Sequence, residues 1–320
     1  MNVSYSTPIT HAWARMKRML FAPFRFEAWL TLAFALFLAN IGSFMGSASN
    51  TFTSRTKGAS PSFQLPEGTR ERILGWLSNP TVLMGFAAVL LVFLVIAVVL
   101  SYLSARAEFV WFDDVAHERA AFTQPWGRFG RLANSLFLLR AALSFLYIVP
   151  IALVAVPLWS IGAAVLQGEM FHLSMLTGLL AAGPFALIAL LLIGFVHILT
   201  QDFVIPLMAT RDLLATQAWR ALLPLLRARA GDFFAYALLM LVLEVGVSLA
   251  VLVAGVLTCC IGLILVSIPY MNAVVLLPLH TARRAIGPEF LAQYGPEWVT
   301  LPAPQALGIE PAAYEPPPLA

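Results

Sequence analysis

Glu244 is the residue whose type and position could most clearly do chemistry. It lies eleven residues inside an apolar stretch at 233–256, which corresponds to a depth of about 17 Å, near the centre of a bilayer. Ionisable groups at that depth are costly, and by default they mark a transport pathway or a buried partner. Ser248 follows one turn later on the same helix face, which is rich in small residues. Two interpretations therefore stay open: a site that handles a proton or a substrate, and a structural hydrogen bond.

Asn272 is the predicted partner of Glu244 in the structural interpretation. If the turn between the last two apolar stretches centres near Thr258, Asn272 lies level with Glu244 across a helical hairpin. A hydrogen bond between the two side chains, with the carboxyl group protonated, would satisfy both. His197 shares a helix face with Gln201 near the end of an earlier apolar stretch. We expect His197 to form hydrogen bonds between helices and not to pair with Glu244.

No pattern in the sequence predicts a catalytic or cofactor site. The phosphate-binding loop, the dinucleotide-binding glycine pattern, the zinc-protease motif and the serine-hydrolase motif are all absent. Asp113 and His117 are spaced i, i+4 on a predicted helix, as are Asp114 and Glu118. No third well-placed ligand accompanies either pair, so we expect no metal ion. We also expect no cofactor, and an enzymatic function is disfavoured.

Two further groups of residues have structural interpretations. Glu108 and Asp202 each begin an acid-Phe-Val phrase that leaves an apolar stretch, and both lie among arginines. We therefore expect them to form surface ion pairs. Cys259 and Cys260 are adjacent, and a Cα separation of about 3.8 Å is below the usual disulfide range. They are predicted to be buried thiols that pack a turn.

The composition indicates a helical membrane protein. Sixty per cent of the 320 residues are hydrophobic and 11% are charged, whereas a soluble domain carries about 25% charged residues. A spanning helix needs about 20 largely apolar residues. Six stretches qualify: 27–47, 81–104, 135–159, 174–200, 233–256 and 260–282. Prolines interrupt the third, fourth and sixth, and we expect kinks there and not helix ends, because neighbouring helices can satisfy the freed carbonyls.

The distribution of basic residues orients these stretches. Fourteen basic residues lie before the first stretch, in the second and fourth loops and after the sixth stretch, whereas the first loop holds four. The positive-inside rule then places both termini in the cytoplasm. The basic balance is explained by this topology and by anionic lipid, so we expect no nucleic acid as a partner.

A short phrase occurs three times, each time before a pair of apolar stretches. Its copies are Thr10-His11-Ala12-Trp13, Thr123-Gln124-Pro125-Trp126 and Thr216-Gln217-Ala218-Trp219. The recurrence predicts an internal repeat. The expected fold is all-α: an integral six-helix bundle of three helical hairpins, each preceded by an interfacial amphipathic helix that its Thr caps. The alternative is that each of these lead-in helices is a cytoplasmic extension packed under the bundle.

The lead-in helices are also the predicted contacts to lipid. Trp at headgroup level and Arg beside phosphate are typical of interfacial helices. The candidate headgroup contacts are Trp126, Arg128, Arg131, Trp219, Arg220, Arg227 and Arg229. By this scheme residues 1–26 form a cytoplasmic amphipathic segment, 27–284 the transmembrane domain, and 285–320 a Pro-rich cytoplasmic tail that is mostly disordered.

Several phrases carry a resemblance to a known family. They are Phe21-Ala22-Pro23-Phe24-Arg25-Phe26, Phe109-Val110-Trp111-Phe112-Asp113, Asp202-Phe203-Val204-Ile205-Pro206-Leu207, Cys259-Cys260-Ile261-Gly262 and Glu289-Phe290-Leu291-Ala292-Gln293-Tyr294. Together they resemble an uncharacterised family of bacterial multi-pass membrane proteins. The layout is distantly similar to the membrane domain attached to some glycerophosphodiester phosphodiesterases, whose catalytic His-Arg-Gly signature is absent here. The resemblance therefore implies no functional residue.

Two functions of different classes follow from these observations. The first is a non-enzymatic membrane module that organises lipid, with anionic headgroups as the expected contact, or a partner protein or second copy of the chain. The alternative is a transporter of a small molecule or a lipid that uses Glu244 inside the membrane.

Overall fold

The computed structural model describes residues 3–53, 75, 79–166, 174–258 and 261–303, and these residues are mostly helical, with no strand among them. The helices of the first half are α1 (Ser6–Phe21), α2 (Phe26–Thr53), α3 (Pro80–Ala116), α4 (Thr123–Arg128), α5 (Gly130–Leu146) and α6 (Ile148–Leu166). The second half contains α7 (Ser174–Leu199), a π-helical turn (Thr200–Val204), α8 (Ile205–Arg211), α9 (Ala215–Ala228), α10 (Ala230–Leu257), α11 (Ile261–Ser267), α12 (Pro269–Val275) and α13 (Leu277–Leu291). Two 3₁₀ turns, Ala292–Tyr294 and Pro296–Trp298, follow.

Within the described part of the chain, four segments are long and apolar enough to cross a membrane. They are Pro80–Ala116, Gly130–Ile161, Leu176–Arg211 and Ala230–Leu257, and a shorter apolar helix covers Phe26–Ile41. Along α3 the side chains of residues 82–99 are exposed in the isolated chain. A continuous apolar surface of that length is suited to lipid and not to water. The all-helical class is confirmed for the described residues, and the four apolar segments are consistent with a membrane protein.

The helix boundaries differ from the predicted stretches in four places. Helix α2 continues to Thr53, beyond the predicted end at 47, and α3 continues to Ala116, beyond the predicted end at 104. The third stretch changes helix at Tyr147. The sixth stretch is divided among α11, α12 and α13, so its prolines end helices where kinks were expected. Pro269 lacks an N–H and forces Ile268 into an extended conformation with ψ of 119°. Pro184, by contrast, lies inside the uninterrupted helix α7.

Among the described residues three pairs of consecutive helices pack against each other; we call these pairs hairpins, and their buried parts meet at one end of the molecule. Helix α2 packs along α3, α6 along α7, and α10 along α11, while α1 packs along α13 at the shared end. The buried side chains concentrate at this end, where Phe109, Phe203 and Phe290 are almost fully buried. The apolar helices extend away from it, so the described residues do not form a closed bundle along their whole length.

The three Trp phrases lie in helices of different length, and the predicted threonine caps are wrong. Thr10 lies in the middle of α1, Thr123 is the first residue of α4, and Thr216 is the second residue of α9. The caps are instead Tyr5, Phe122 and Leu214. All three copies share one feature: the residue before each Trp is buried. These residues are Ala12, Pro125 and Ala218.

Part of the segment expected to be a disordered tail is folded into the core. Phe290, Leu291 and Leu301 are buried, and Arg15 in α1 donates a hydrogen bond from Nη2 to the carbonyl of Pro302 at 3.0 Å. The correction therefore covers residues 285–303. Residues 304–320, as well as Cys259 and Cys260, lie outside the part of the chain that the structure describes.

Candidate functional site: a charged cavity where the hairpins converge

A polar cavity lies where the three hairpins converge. It has a volume of about 350 Å³, and a neighbouring cavity of about 260 Å³ shares Ala39, Asn40, His197 and Gln201 as its walls. Asn40 comes from the first hairpin, His197 from the second and Glu244 from the third. Helix α13 closes the first cavity with His280, Arg283 and Arg284.

Consecutive arginines of α13 connect carboxylates from all three hairpins. Arg284 Nη1 lies 2.9 Å from Glu108 Oε1. Arg283 lies 3.7 Å from Asp202 Oδ1 and donates from Nε to Glu244 Oε2 at 3.2 Å. Arg140 in α5 adds a second contact to Glu108 at 3.2 Å. The site is thus a network of ion pairs that joins the hairpins to one helix.

Glu108 and Asp202 form ion pairs as predicted, but the pairs are buried and not on the surface. Their relative exposures are 6% and 2%. The cause is the position of α13, whose arginines reach across the junction to both carboxylates. A buried carboxylate is tolerated when it is paired and hydrogen-bonded. The acid-Phe-Val phrases therefore mark the junction of the hairpins and not its periphery.

Asp202 has an aromatic support. The hydroxyl of Tyr236 donates a hydrogen bond to Asp202 Oδ2 at 2.9 Å. Phe203 packs against Tyr236 and Phe233, with ring centroids 4.9 and 5.2 Å away. Gln201 and Asp202 both lie in the π-helical turn, and such turns are frequent at functional sites because they redirect side chains. The turn here places Gln201 on the cavity and Asp202 towards Arg283.

The predicted hydrogen bond between Glu244 and Asn272 is not formed. Asn272 Nδ2 donates to the carbonyl of Val266 at 3.2 Å, because the helix break at Pro269 leaves carbonyls at the end of α11 without helical donors. Glu244 pairs with Arg283 instead, and 60% of its side chain is exposed. Glu244, Ser248 and Asn272 nevertheless line a common groove.

His197 lines both cavities. The predicted hydrogen bonds between helices are absent for this side chain within the part of the chain that the structure describes. Its neighbour on the same face, Gln201, accepts from Arg284 Nη1 with both its backbone and side-chain oxygens, each at 3.2 Å. Gln201 therefore takes the interhelical role that the sequence suggested for His197.

Arg284 is the most deeply buried cation of the cavity. Its relative exposure is 6%, and its guanidinium group lies 5.5 Å from the ring centre of Phe112. Among the described residues its Nε and Nη2 atoms have no hydrogen-bond partner. Burial lowers the pKa of Arg284, whereas the Asp202 carboxylate raises the pKa of Arg283. Both guanidinium groups remain cationic at neutral pH.

An apolar groove adjoins the cavity. It has a volume of about 490 Å³ and shares Glu244, His280 and Arg283 with the polar cavity. Apolar side chains from α1, from α10 and from the broken sixth stretch form its walls. They include Trp13, Leu243, Val247, Val251, Val266 and Leu276.

The predicted headgroup contacts divide into paired and unpaired groups. Arg131 and Arg229 form ion pairs with Asp212 and Asp232. In contrast, Arg128, Arg220 and Arg227 are exposed and make no ion pair with the described residues. Trp126 and Trp219 are half-buried, and Arg106 lies 4.8 Å from the ring centre of Trp126.

The four residues considered as metal ligands have other partners. Asp113 binds Arg119 at 2.7 Å and His117 at 3.3 Å, while Asp114 Oδ1 accepts from the backbone N–H of Ala121 at 2.9 Å. Glu118 binds Arg15 and Arg18, at 3.2 and 3.0 Å. The two contacts of Glu118 connect α1 to the end of α3.

Sequence reasoning missed a third acid-Phe-aliphatic phrase. Glu289-Phe290-Leu291 follows the sixth apolar stretch, as the two earlier phrases follow the second and fourth, and all three of its residues are buried. Glu289 lies 3.4 Å from His11 and 4.0 Å from Arg15, both in the first Trp lead-in. The signal was the recurrence of an acid followed by Phe and an aliphatic residue at the exit of each hairpin.

Comparison with known proteins matches residues 6–295 to the model of a family of unknown function. This agrees with the resemblance to an uncharacterised family and says nothing about the phosphodiesterases. No curated protein and no solved structure matches the chain.

Proposed function

The chain belongs to the DUF7544 family, a family of unknown function, and from that premise we propose that it is a non-enzymatic multi-pass membrane module that organises lipid. The proposal includes six spans arranged as three repeated hairpins, with both termini in the cytoplasm of a bacterium and the spans in its inner membrane. The convergent end of the hairpins then faces the cytoplasmic leaflet, which carries anionic lipid.

The observation that supports this proposal is the basic face of α9. Ala215, Ala218 and Leu222 are buried against the core, which leaves Arg220 and Arg227 on the opposite, exposed face. Helix α9 directly precedes α10, one of the apolar spanning helices, so these guanidinium groups lie near the level at which the apolar surface begins. Basic residues at that level attract anionic headgroups, each by about 1 kcal/mol.

Lipid titration of the detergent-solubilised protein tests this proposal. Native mass spectrometry would measure the apparent affinity for phosphatidylglycerol. Replacing Arg128, Arg220 and Arg227 together with Gln should weaken it by roughly 100-fold, from about 1 kcal/mol per charge. The matched control replaces the same three residues with Lys, which keeps the charge and should keep the affinity. Unchanged phosphatidylglycerol binding by the Gln variant would contradict the proposal.

Proton-coupled transport is the second candidate function, and a specific contact favours it. Arg283 binds Asp202 from the second hairpin and Glu244 from the third. Protonation of Glu244 would remove one of these ion pairs and leave Arg283 with Asp202 alone. The charge state of Glu244 would then alter the link between two hairpins, as a proton-driven conformational change requires.

Proteoliposomes that contain a pH-sensitive dye test this second candidate. Fractionated small-molecule extract would be added outside while the internal pH is followed. Transport predicts substrate-dependent proton uptake that Glu244→Gln abolishes without lowering the melting temperature. Proton uptake that is the same with the variant as with the native chain would exclude the coupling role of Glu244.

A further inference from the structure

We infer that the polar cavity and the apolar groove together bind one zwitterionic phospholipid that carries a primary amine. Its phosphate would lie at Arg283 and Arg284, its ammonium group at Glu244, and an acyl chain in the groove. This inference rests on the proposed function and specifies a lipid class and a position that the basic lead-in helices do not determine.

Continuity between the cavity and the groove indicates an amphiphile. Glu244, His280 and Arg283 belong to both, so a ligand can place a polar group on one side of these residues and an apolar chain on the other. On the groove side most of the lining is aliphatic, with Val251 and Leu276 among its members, and Trp13, Ser248 and Asn272 complete it. A small polar solute would leave that volume unfilled, whereas a phospholipid occupies both parts.

The balance of charges favours a zwitterion. Around the cavity three arginines, Arg140, Arg283 and Arg284, form ion pairs with three carboxylates, Glu108, Asp202 and Glu244. A ligand with a net charge would leave one charge of this network uncompensated at a partly buried place, which is unfavourable. A headgroup with one phosphate and one ammonium adds a charge of each sign and keeps the balance.

Arg284 supplies the anion-binding end. It lines the cavity, it is 6% exposed, and its Nε and Nη2 atoms lack hydrogen-bond partners among the described residues. Buried donors are normally paired, and these two have almost no exposed surface, so a phosphate reaches them only when the guanidinium turns towards the cavity. The planar fork of arginine matches phosphate oxygens in geometry as well as in charge. Arg283, whose side chain is 38% exposed, is the second contact.

Glu244 supplies the cation-binding end. Of the three carboxylates it is the accessible one, with 60% of its side chain exposed, against 8% for Glu108 and 1% for Asp202. Its ion pair with Arg283, the one it forms with the described residues, uses Oε2. The other carboxylate oxygen can accept hydrogen bonds from a primary ammonium group, which a quaternary ammonium group cannot donate. The site should therefore prefer phosphatidylethanolamine to phosphatidylcholine.

Competitive lipid titration of the full chain in detergent, read by native mass spectrometry, tests the inference. Phosphatidylethanolamine should bind at least about tenfold more tightly than phosphatidylcholine or phosphatidylglycerol at this site. Glu244→Gln should remove that preference, and so should Val251→Trp, which fills the groove without changing a charge. The matched control is Glu27→Gln, because Glu27 is an exposed acid at the start of α2. The control should keep the preference.

The outcomes separate this inference from the proposed function. Replacing Arg128, Arg220 and Arg227 with Gln should lower phosphatidylglycerol binding and leave the phosphatidylethanolamine preference intact. Loss of phosphatidylglycerol binding in that variant, without any phosphatidylethanolamine preference in the native chain, would overturn the inference alone. A preference that survives both Glu244→Gln and Val251→Trp would also overturn it. Melting curves of each variant confirm folding, and Glu244 is exposed enough for its variant to remain folded.

Discussion

Glu108 lies near the end of α3 and Asp202 just after α7, at corresponding positions of two hairpins, and each is buried against one of two consecutive arginines. Arg284 holds Glu108 at 2.9 Å and Arg283 holds Asp202 at 3.7 Å. Helix α13 thereby links the second and fourth apolar helices through charge, at the end of the molecule where the lead-in helices pack. The position of α13 determines both the stability of the junction and the shape of the cavity.

Glu108→Gln should destabilise the protein strongly. The change leaves the buried Arg284 without its closest counter-charge, and breaking one side of a buried ion pair costs about 3–5 kcal/mol. The melting temperature in detergent, followed by tryptophan fluorescence, should fall by many degrees. Glu27→Gln makes the same chemical change at an exposed position and should leave the melting curve in place. Equal melting temperatures for the two variants would contradict the buried ion pair.

Tyr236→Phe should destabilise the protein by about 1–3 kcal/mol, because it removes a hydrogen bond to a buried carboxylate and leaves Asp202 partly unsatisfied. The matched control is Tyr147→Phe, since the hydroxyl of Tyr147 hydrogen-bonds none of the described residues. The free energy of unfolding of that control should lie within about 0.5 kcal/mol of the native value. A larger effect at Tyr147 than at Tyr236 would show that Asp202 does not depend on the phenol.

Gly287→Ala should disrupt the contact between α13 and the π-helical turn. A Cβ atom at Gly287 would lie 2.5 Å from the carbonyl oxygen of Asp202 and 2.7 Å from its Cβ atom, and backbone there cannot move aside cheaply. We expect a lower melting temperature and weaker lipid retention, because Asp202 shifts away from Arg283. Gly231→Ala in α10 is the control: no atom lies within 4 Å of its added Cβ. If both alanine variants behave alike, the close approach at Gly287 is absent.

Membrane character was predictable from the sequence because apolarity and length are local properties. Residues 81–104 were predicted as a spanning helix, and α3 begins at Pro80 and continues through them. The burial of Glu108 was not predictable in the same way, since its partner Arg284 is distant in the chain and only the position of α13 brings them together. Local charge density suggested a solvated ion pair, and tertiary packing produced a buried one.

The contacts of the candidate polar residues were not predictable from the sequence. Glu244, Ser248 and Asn272 line one groove, but Glu244 and Asn272 do not form the expected hydrogen bond. The predicted partner of Glu244 was wrong because the helix is interrupted at Pro269, and Asn272 turns towards the Val266 carbonyl. The threonine caps failed for a related reason: a recurring phrase indicates a recurring environment, here a buried residue before Trp, and does not determine where each helix begins.

Two residues with positive φ should respond to glycine in opposite ways. Glu118 and Asp212 have φ of 50° and 53°, a conformation in which glycine is less strained than other residues. Asp212→Gly removes an exposed side chain whose ion pair with Arg131 is worth little, so the melting temperature should hold or rise. Glu118→Gly removes a buried carboxylate that binds Arg15 and Arg18, so the melting temperature of this variant should fall. A rise in both variants would mean that Glu118 does not anchor α1.

The most direct test of the lipid site is photo-crosslinking with a phosphatidylethanolamine that carries a photoactivatable group at the end of one acyl chain. The full chain would be reconstituted in phosphatidylcholine vesicles with a trace of this probe, irradiated, and digested for mass spectrometry. We expect adducts concentrated on residues 243–251 and 266–276, and we expect Val251→Trp to remove them while general labelling of residues 82–99 persists. Labelling confined to residues 82–99 and the other outward apolar faces, unchanged by Val251→Trp, would contradict a lipid held where the three hairpins converge.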